Sequence, residues 1–425
     1  MSYHAAITAF AMKFQQVSSP VMAKGCEDTA FYRYHRLISL NEVGSDPRHF
    51  GTSVKAFHAE NLKRLERWPH AMLNTSTHDS KRSEDVRMRI NVLSEIPGQW
   101  HLQARRWRRL NRSKKRLVEH KEIPSTNDEY LLYQTMLGIW PLAALTADEH
   151  GVLLARLQAY MIKAVREAKQ HTSWFSPDAV YEEGLLNFIE QITNPAGKNV
   201  FLTDFIDFNR HIARCGLFNS LSQTLLKLSV PGVPDIYQGN ELWEFNLVDP
   251  DNRRPVDYLQ RQQWLEHVKQ SVAVPQTQLA SAVREFLDDC ADGRAKLYLT
   301  WQLLQIRTQW PEVFQNGAYL PLLVSGEHKE HICAFMRQTE AISLIIIAPR
   351  WFSRLITAAD KELPLNEAAW GNTTWIEVAQ PAAMVKNHGL NLLTGETIAL
   401  TEINGTLALA AADALMSFPV ALIQI

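Results

Sequence analysis

The sequence has few cysteines, no long apolar run and no excess charge of either sign. Only four of its 425 residues are cysteine and none forms a Cys-x-x-Cys pair, so neither a disulfide framework nor a zinc site is indicated. This cysteine usage is typical of the reducing cytoplasm. No stretch approaches about 18 apolar residues, so we expect no membrane span. The 44 basic and 45 acidic side chains nearly cancel, which disfavours nucleic acid and anionic lipid as partners.

The beginning of the chain, MSYHAAITAFAMKFQQ, has no basic segment followed by an apolar run, and we expect no signal peptide. Ala6, Phe10, Phe14 and Val17 recur at helical spacing. No capping residue precedes this helix. We therefore expect the helix to continue a longer protein.

Two regions with different periodicity follow each other along the chain. The 46% hydrophobic content can fill a large core, and the length suggests two to three domains. Helical spacing dominates up to about residue 312, with Leu153, Leu157, Met161 and Ala164 on one predicted apolar face. The exception is a turn-rich segment at 20–55, which predicts a long structured loop or short helices. From 313, strand-like runs alternate with turn signals such as Gly371-Asn372 and Asn404-Gly405, which predicts an all-β domain. The predicted strands are Ile332–Met336, Ile342–Ile347, Thr373–Val378, Ile398–Leu400, Thr406–Ala410 and Val420–Ile425.

Acids and bases cluster at 76–85, directly after a short apolar run that predicts a buried strand. In a β/α barrel, catalytic groups lie at the carboxyl ends of strands. Asp79 there could stabilise a positively charged transition state, and His78 could donate to a sugar hydroxyl. The alternative is a helix start capped by Asp79 or Ser80. The acids of the first turn, with Asp85 paired to Arg89 four residues on, would then only stabilise the helix.

Two further clusters follow at 231–241 and 249–255. The first has two glycines and two prolines around a short strand, so that Tyr237 and Glu241 would project near one rim, although a simple strand and turn is the favoured explanation. In the second, Arg253 and Arg254 could bind hydroxyl groups, but ion pairs with the neighbouring aspartates are favoured.

The basic run RRWRRLNRSKKR at 105–116 raises nucleic-acid binding as a different class of function. It is one solvated helix face in a chain with a net charge of −1, which argues against that class.

Taken together, these segments resemble the last two barrel strands of the α-amylase clan, in which a His-Asp motif ends the seventh strand and G-x-P-x-[IL]-Y-x-G-x-E marks the eighth. Four blocks narrow the resemblance to maltooligosyltrehalose synthases, from about residue 10 to the C-terminal β domain. Cys26 and Ser80 depart mildly from the pattern. The blocks are VMAKGCEDTAFYRYHRLISLNEVGSDP, STHDSKRSEDVRMRI, KAVREAKQHTSW and VPGVPDIYQGNELWEFNLVDPDNRRPVDY.

The resemblance implies an α/β fold with large helical content: the last strands of a (β/α)8 barrel with a helical insertion, followed by a C-terminal β-sandwich domain. Residues 1–79 would hold insertion loops, helices and barrel strand seven. Residues 80–216 would form the helical insertion, residues 217–312 strand eight and the helices after it, and residues 313–425 the sandwich.

The family converts the reducing-end α-1,4 bond of a maltooligosaccharide into an α,α-1,1 bond, giving maltooligosyl trehalose for trehalose biosynthesis. This isomerase reaction, that of a (1→4)-α-D-glucan 1-α-D-glucosylmutase, implies a maltooligosaccharide substrate and neither a metal nor a cofactor. Retention of anomeric configuration requires a nucleophile and an acid about 5 Å apart.

Carried over by motif, Asp79 matches the clan's third carboxylate, which stabilises the transition state, and His78 would bind the same sugar. Lys81 and Arg82 would contact the glucose that reorients. The remaining expected substrate contacts are Lys24, Glu27, Asp28, Arg33, Lys169, His171, Trp174, Tyr237, Glu241, Arg253 and Arg254.

Residues 1–70 contain no match to the clan's nucleophile motif, so we expect the nucleophile Asp and the acid Glu to be encoded upstream. Three alternatives remain open. The chain is part of a longer enzyme and inactive alone, it pairs with a separate N-terminal half, or it is a non-catalytic α-glucan-binding module.

Overall fold

The structure is a computed structural model that describes residues 3–356, 363–378, 387–403 and 405–425. Its α-helices are α1 (Tyr3–Met22), α2 (Val54–Arg67), α3 (Glu84–Asn91), α4 (Pro97–Asn111), α5 (Thr126–Ile139), α6 (Ala147–Ala168), α7 (Ala179–Thr193), α8 (Val200–Ser229), α9 (Tyr258–Ser271), α10 (Gln276–Asp288), α11 (Arg294–Gln309), α12 (Pro311–Gln315), α13 (Asn366–Trp370) and α14 (Ala411–Ala414).

The strands are short and most lie in the last quarter of the chain. They are β1 (Met72–Leu73), β2 (Arg116–Val118), β3 (Lys121–Ile123), β4 (Val233–Pro234), β5 (Ala318–Pro321), β6 (Val324–Ser325), β7 (Ile332–Gln338), β8 (Ser343–Pro349), β9 (Trp375–Glu377), β10 (His388–Asn391), β11 (Thr397–Ala399), β12 (Thr401–Ile403), β13 (Thr406–Ala410) and β14 (Ala421–Gln424).

Strands β1 and β4 form a two-stranded parallel sheet, with Met72 paired to Val233 and Leu73 to Pro234. Gly232 makes this approach possible: its φ is +127°, and a Cβ there would lie 2.9 Å from the carbonyl oxygen of Ala71. The two predicted strands are therefore neighbours. In the described part of the chain this sheet is not a closed barrel, and Met72 and Val233 remain 69% and 48% exposed.

Helix α8 is the centre of the helical body and packs against α3, α11 and strand β8. Its contact with α3 depends on Gly216, where a Cβ would lie 2.7 Å from the Cα of Arg89. The predicted apolar face Leu153, Leu157, Met161 of α6 is buried in the same core. In contrast, α1 buries no residue in the described structure.

Several helices begin where the sequence supplies a capping oxygen. Ser53, Ser125, Asp178 and Asn199 each accept a hydrogen bond from the backbone N–H three residues on, at the starts of α2, α5, α7 and α8. Thr146 forms a complete capping box at the start of α6. These side chains satisfy backbone donors that a helix leaves unpaired at its first turn.

The C-terminal region contains two antiparallel sheets with strand orders β11-β10-β14-β8-β7-β5 and β12-β13-β9-β6. Alternate residues of β7 and β8 have different surroundings. Ile332 and Ile345 pack with Ile376 and Leu409 of the second sheet, whereas Phe335 and Ile346 belong to the helical core. Because both faces of β7 and β8 are covered, these strands are continuous apolar runs rather than alternating ones.

The strand prediction for the C-terminal region found too few strands. The predicted strand positions are occupied by β7, β8, β9, β11, β13 and β14, but β5, β6, β10 and β12 were missed. The β2–β3 hairpin also interrupts a region predicted to be helical, and VPDIYQG contains only a two-residue strand. Asn404 of the predicted Asn404-Gly405 turn lies outside the described residues. The domain boundaries at 79, 216 and 312 stay a prediction.

Replacing Gly216 by alanine is expected to destabilise the fold by about 1–3 kcal/mol, because the new methyl group would overlap the backbone of Arg89. Gly151→Ala in α6 is the matched control, since nothing lies within 4 Å of its Cβ position. That change should instead stabilise the helix by about 0.5–1 kcal/mol. Urea unfolding of the three proteins measures both effects, and equal midpoints for the two variants would contradict the close packing of α3 on α8.

Candidate functional site

A tight turn follows strand β1 and presents two side chains to solvent. Ser80 N–H donates to the Thr77 carbonyl at 3.3 Å, and Asp79 N–H donates to the Thr77 hydroxyl at 3.2 Å. His78 and Asp79, at the tip of this turn, are exposed. Helix α3 starts later, with Ser83 as its N-cap residue. The interpretation of Asp79 or Ser80 as a helix cap is therefore wrong, because the chain turns before the helix begins.

The segment after strand β4 lies against this turn. The Asn252 side-chain N–H donates to the carbonyl of His78 at 2.8 Å, and Asn252 is itself only 9% exposed. Ser83 N–H donates to the Asn246 carbonyl at 2.9 Å, and Arg82 forms an isolated β-bridge with Leu247. The structure thus brings together the two motifs that the sequence separates by more than 160 residues.

Lys81 and Arg82 point into the protein rather than toward solvent. Lys81 Nζ lies 3.1 Å from Asp28 Oδ1, and its side chain is 5% exposed. Arg82 donates to the Ile38 carbonyl at 3.1 Å and to the Tyr160 hydroxyl at 2.6 Å. These bonds attach the turn to the segment at 23–42 and to α6. In the structure both side chains bind protein atoms, and the sugar contacts that the resemblance implies stay a prediction.

Asp28 joins the segment at 20–55, called the first loop from here on, to the turn that carries His78 and Asp79. It accepts hydrogen bonds from Lys24 at 2.6 Å and from Lys81 at 3.1 Å. Burial opposes ionisation of the Asp28 carboxyl, but these two bonds outweigh it and hold its pKa below the usual value. The hydrogen bond and charge of Asp28 raise the pKa of Lys24, with smaller contributions from the charges of Glu167 and Asp79.

The expected loop residues and the KQHTSW segment are adjacent. Arg33 donates to the Ala168 carbonyl at 2.6 Å, and Lys169 donates to the Thr29 hydroxyl at 3.0 Å. Lys169 has a left-handed backbone, with φ of 53°, and ends α6 there. Glu27 accepts from the Gly44 N–H at 3.2 Å.

The aromatic members of that segment bind neighbouring protein groups. His171 stacks on Tyr181 with ring centres 4.6 Å apart. Trp174 donates to Glu167 at 3.0 Å and remains 50% exposed. The Arg166 guanidinium lies 4.9 Å from the centre of the Trp174 ring, and the rest of that ring is open to solvent.

The rim beyond strand β4 is built from ion pairs. Arg253 lies 2.5 Å from Asp249, and Arg254 lies 3.3 Å from Asp251. Glu241 pairs with Arg261 at 3.2 Å. The pairing with neighbouring aspartates that the sequence favoured is present, and Tyr237 is half-buried beside this rim.

Comparison with known proteins connects this geometry to a family. No family model matches the chain. A putative maltooligosyl trehalose synthase of Mycobacterium tuberculosis is 35% identical over 369 residues, which is 85% of this chain and 42% of that protein. The maltooligosyltrehalose synthase of Arthrobacter ramosus superposes with a TM-score of 0.74 at 32% identity, over 97% of this chain and 46% of its own. The chain is homologous to the maltooligosyl trehalose synthases.

A hypothetical maltooligosyl trehalose synthase of Sulfolobus tokodaii gives the same result, with a TM-score of 0.69 and 31% identity over 99% of this chain. This chain spans less than half the length of the synthases it matches. Those synthases carry the matched region within one longer chain, which does not support the alternative of a separate N-terminal partner chain. Among the described residues, none of the helices combines the length and the apolar character of a membrane span, and no group of three or more His, Cys, Asp or Glu side chains is arranged to hold a metal ion.

Sequence reasoning missed a buried charge cluster beneath the turn. Lys296 of α11 lies 2.7 Å from Glu84 and 2.8 Å from Asp85, and Lys227 of α8 lies 3.2 Å from Glu84. All four side chains are at most 5% exposed. Asp85 also accepts from the Glu244 backbone N–H at 2.8 Å, which ties the cluster to the segment after β4.

The two carboxyls of the cluster have opposite pKa shifts. Burial opposes ionisation of Glu84, but the charges of Lys296 and Lys227 outweigh it and hold its pKa well below normal. Burial raises the pKa of Asp85 despite its bond to Lys296.

The prediction that Asp85 pairs with Arg89 is wrong. Arg89 donates to the Trp140 carbonyl at 2.6 Å and its guanidinium lies 3.6 Å from the ring centre of Phe245.

Replacing Lys296 by methionine is expected to destabilise the chain by about 3–5 kcal/mol, because two buried carboxyls lose their shared cation. Lys269→Met is the control, since Lys269 is 42% exposed and pairs with a neighbour on its own helix. That change should alter stability by no more than about 0.5 kcal/mol. Thermal and urea unfolding provide the measurement, and similar losses in both variants would show that the cluster contributes little.

Asp28→Asn is expected to lower stability by roughly 1–2 kcal/mol at pH 7, because Lys24 and Lys81 lose a charged acceptor. The native pKa of Asp28 is depressed, so its contribution is present above the unfolded value of about 3.9 and is lost as pH falls through the lower native pKa. The difference between wild type and variant should shrink below about pH 4. Asp207→Asn serves as control because Asp207 is 63% exposed and pairs only within its helix. A difference that stayed constant down to pH 2 would contradict the assignment.

Proposed function

We propose that this chain forms the sugar-holding part of a retaining transglucosylase that makes maltooligosyl trehalose, with Asp79 and His78 facing the reacting glucose. The observation that supports this most directly is the parallel pairing of β1 with β4, which places the exposed His78-Asp79 turn where the strands end, held by Asn252. Carboxyl ends of parallel strands are where barrel enzymes keep their catalytic groups. We propose further that these strands are the seventh and eighth of a (β/α)8 barrel and that the C-terminal sheets form a β-sandwich domain.

The proposed reaction is that of a (1→4)-α-D-glucan 1-α-D-glucosylmutase acting on the reducing end of a maltooligosaccharide. The α-1,4 bond is cleaved with retention, the released glucose turns over in the pocket, and its anomeric hydroxyl attacks to form the α,α-1,1 bond. Asp79 would hold the hydroxyls of the reacting sugar and balance its developing positive charge. A nucleophile and an acid are also required, because retention proceeds through a covalent intermediate.

The loop at 23–33 and the KQHTSW segment would form the wall on the leaving-group side. Their mutual hydrogen bonds, from Arg33 to Ala168 and from Lys169 to Thr29, make this wall one unit. A closed wall matters for the chemistry because water would otherwise compete with the glucose hydroxyl. The exposed Trp174 ring is the proposed contact for a glucan face.

We propose that the chain alone does not turn over substrate, since residues 1–70 contain no match to the nucleophile motif. An α-glucan-binding module without catalysis is the second candidate. The same exposed groups, His78, Asp79 and Trp174, support it.

Incubation of the chain with maltopentaose is expected to give no non-reducing product, whereas calorimetric titration with the same sugar should detect binding. Asp79→Asn should weaken that binding roughly 10-fold, the loss of one charged hydrogen bond to a hydroxyl. Asp207→Asn, an exposed aspartate on α8, is the control and should bind as wild type does. Product formation would contradict the absence of the other catalytic carboxylates, and unchanged binding by Asp79→Asn would refute the proposed role of Asp79.

A further inference from the structure

One face of helix α4 carries arginines that the proposed function does not use. Arg105, Arg108 and Arg109 lie on its last two turns and Arg112 follows directly, a spacing of i, i+3, i+4 and i+7 that places all four on one side. Together with Lys115 and Glu122 they line a cleft of about 380 Å³ between the end of α4 and the β2–β3 hairpin.

The positive charge of this cleft is largely uncompensated. Lys115 is buried and pairs with Glu122 at 3.1 Å and with Glu129 at 2.7 Å. Arg112 lies 3.8 Å from the same Glu122. Within the described ranges, no acidic group lies within 4.0 Å of the guanidinium groups of Arg105, Arg108 or Arg109. Like charges three and four residues apart destabilise a helix, so a bound anion would relieve their repulsion.

A second cavity adjoins the cleft and shares two of its residues. This cavity, of about 540 Å³, is lined by Arg105 and Arg108 on the shared side and by Phe50, Trp100 and Tyr130 among its aromatic groups. The Trp100 ring is stacked against Tyr130 and Phe208. Phe50 is 53% exposed, and the Arg36 guanidinium lies 5.7 Å from the centre of its ring. Volumes of this size accommodate small organic ligands.

We propose that the two cavities together bind a small phosphorylated ring compound, with its phosphate against Arg105, Arg108 and Arg109 and its ring beside Phe50. Guanidinium groups match phosphate oxygens in geometry and charge. The arginines shared by both cavities place the phosphate at their junction and the ring in the aromatic cavity. A sugar phosphate and a nucleoside monophosphate satisfy the same chemistry, and the experiment separates them.

The site is local rather than a general basic surface. Arg106, on the same helix, is not in the cleft and pairs with Asp204 at 3.0 Å. The whole chain has a net charge of −1, so it carries no overall basic charge that would attract nucleic acid. A cleft that ends against Glu122 suits a small anion better than a long nucleic acid.

Titration calorimetry on the full chain, at low and at high salt, tests the proposal with inorganic phosphate, glucose 6-phosphate, adenosine monophosphate and a 20-nucleotide single strand. One of the two ring compounds should bind at least roughly 10-fold more tightly than inorganic phosphate. Arg108→Gln should weaken that compound roughly 10-fold, whereas Arg106→Gln, the matched control, should leave its affinity unchanged. Phe50→Ala should weaken the ring compound but not inorganic phosphate.

Three results would overturn the proposal: equal losses in Arg106→Gln and Arg108→Gln, no binding of either ring compound, or tighter binding of the oligonucleotide that Arg108→Gln abolishes. All substitutions are at exposed side chains, and unchanged unfolding midpoints would verify that each variant folds. The phosphate site shares no residue with the proposed reaction. Asp79→Asn should therefore bind the phosphorylated compound as wild type does.

Discussion

One buried cation, Lys296, connects the elements that position the His78-Asp79 turn. Lys296 of α11 bonds both Glu84 and Asp85, the first two residues of α3. Asp85 in turn accepts from the backbone of Glu244, beyond strand β4. The turn that presents His78 and Asp79 lies directly before these acids, so its position depends on where the start of α3 is held. A buried charge without partners is costly, and this makes the arrangement specific.

The same dependence explains why the segments at 76–85 and 231–255 form one site although they lie far apart in the sequence. A two-residue parallel pair of strands contributes little stability by itself. Additional contacts fix the register of the pair: the bond from Asn252 to the carbonyl of His78, the bond from Ser83 to Asn246, and the approach of Gly232 to β1. The site thus depends on contacts around the strands more than on the pairing of the strands themselves.

Local patterns in the sequence predicted what depends on local physics. Helical periodicity placed α6 and its buried face, turn residues marked most β strands, and polar residues after an apolar run marked the His78-Asp79 turn. Partners distant in sequence were not predictable. Asp85 was expected to pair with Arg89 four residues on, but it bonds Lys296, 211 residues away. The only local signal was a lysine inside the apolar run AKLYLTW, since an isolated charge on a buried helix face requires a partner. Short edge strands such as β6 and β12 were missed because two or three residues give no periodicity to detect.

The buried state of Lys81 and Arg82 changes how the motif around Asp79 is understood. Resemblance alone assigned both residues to the sugar, yet Lys81 bonds Asp28, Arg82 bonds Ile38 and Tyr160, and both backbone N–H groups donate to Glu42. Each of these contacts links the turn to the first loop or to α6. The loop, the turn and α6 are therefore joined directly by hydrogen bonds. The basic pair after the His-Asp motif therefore binds protein atoms in this structure, whereas the two side chains at the tip of the turn, His78 and Asp79, are exposed.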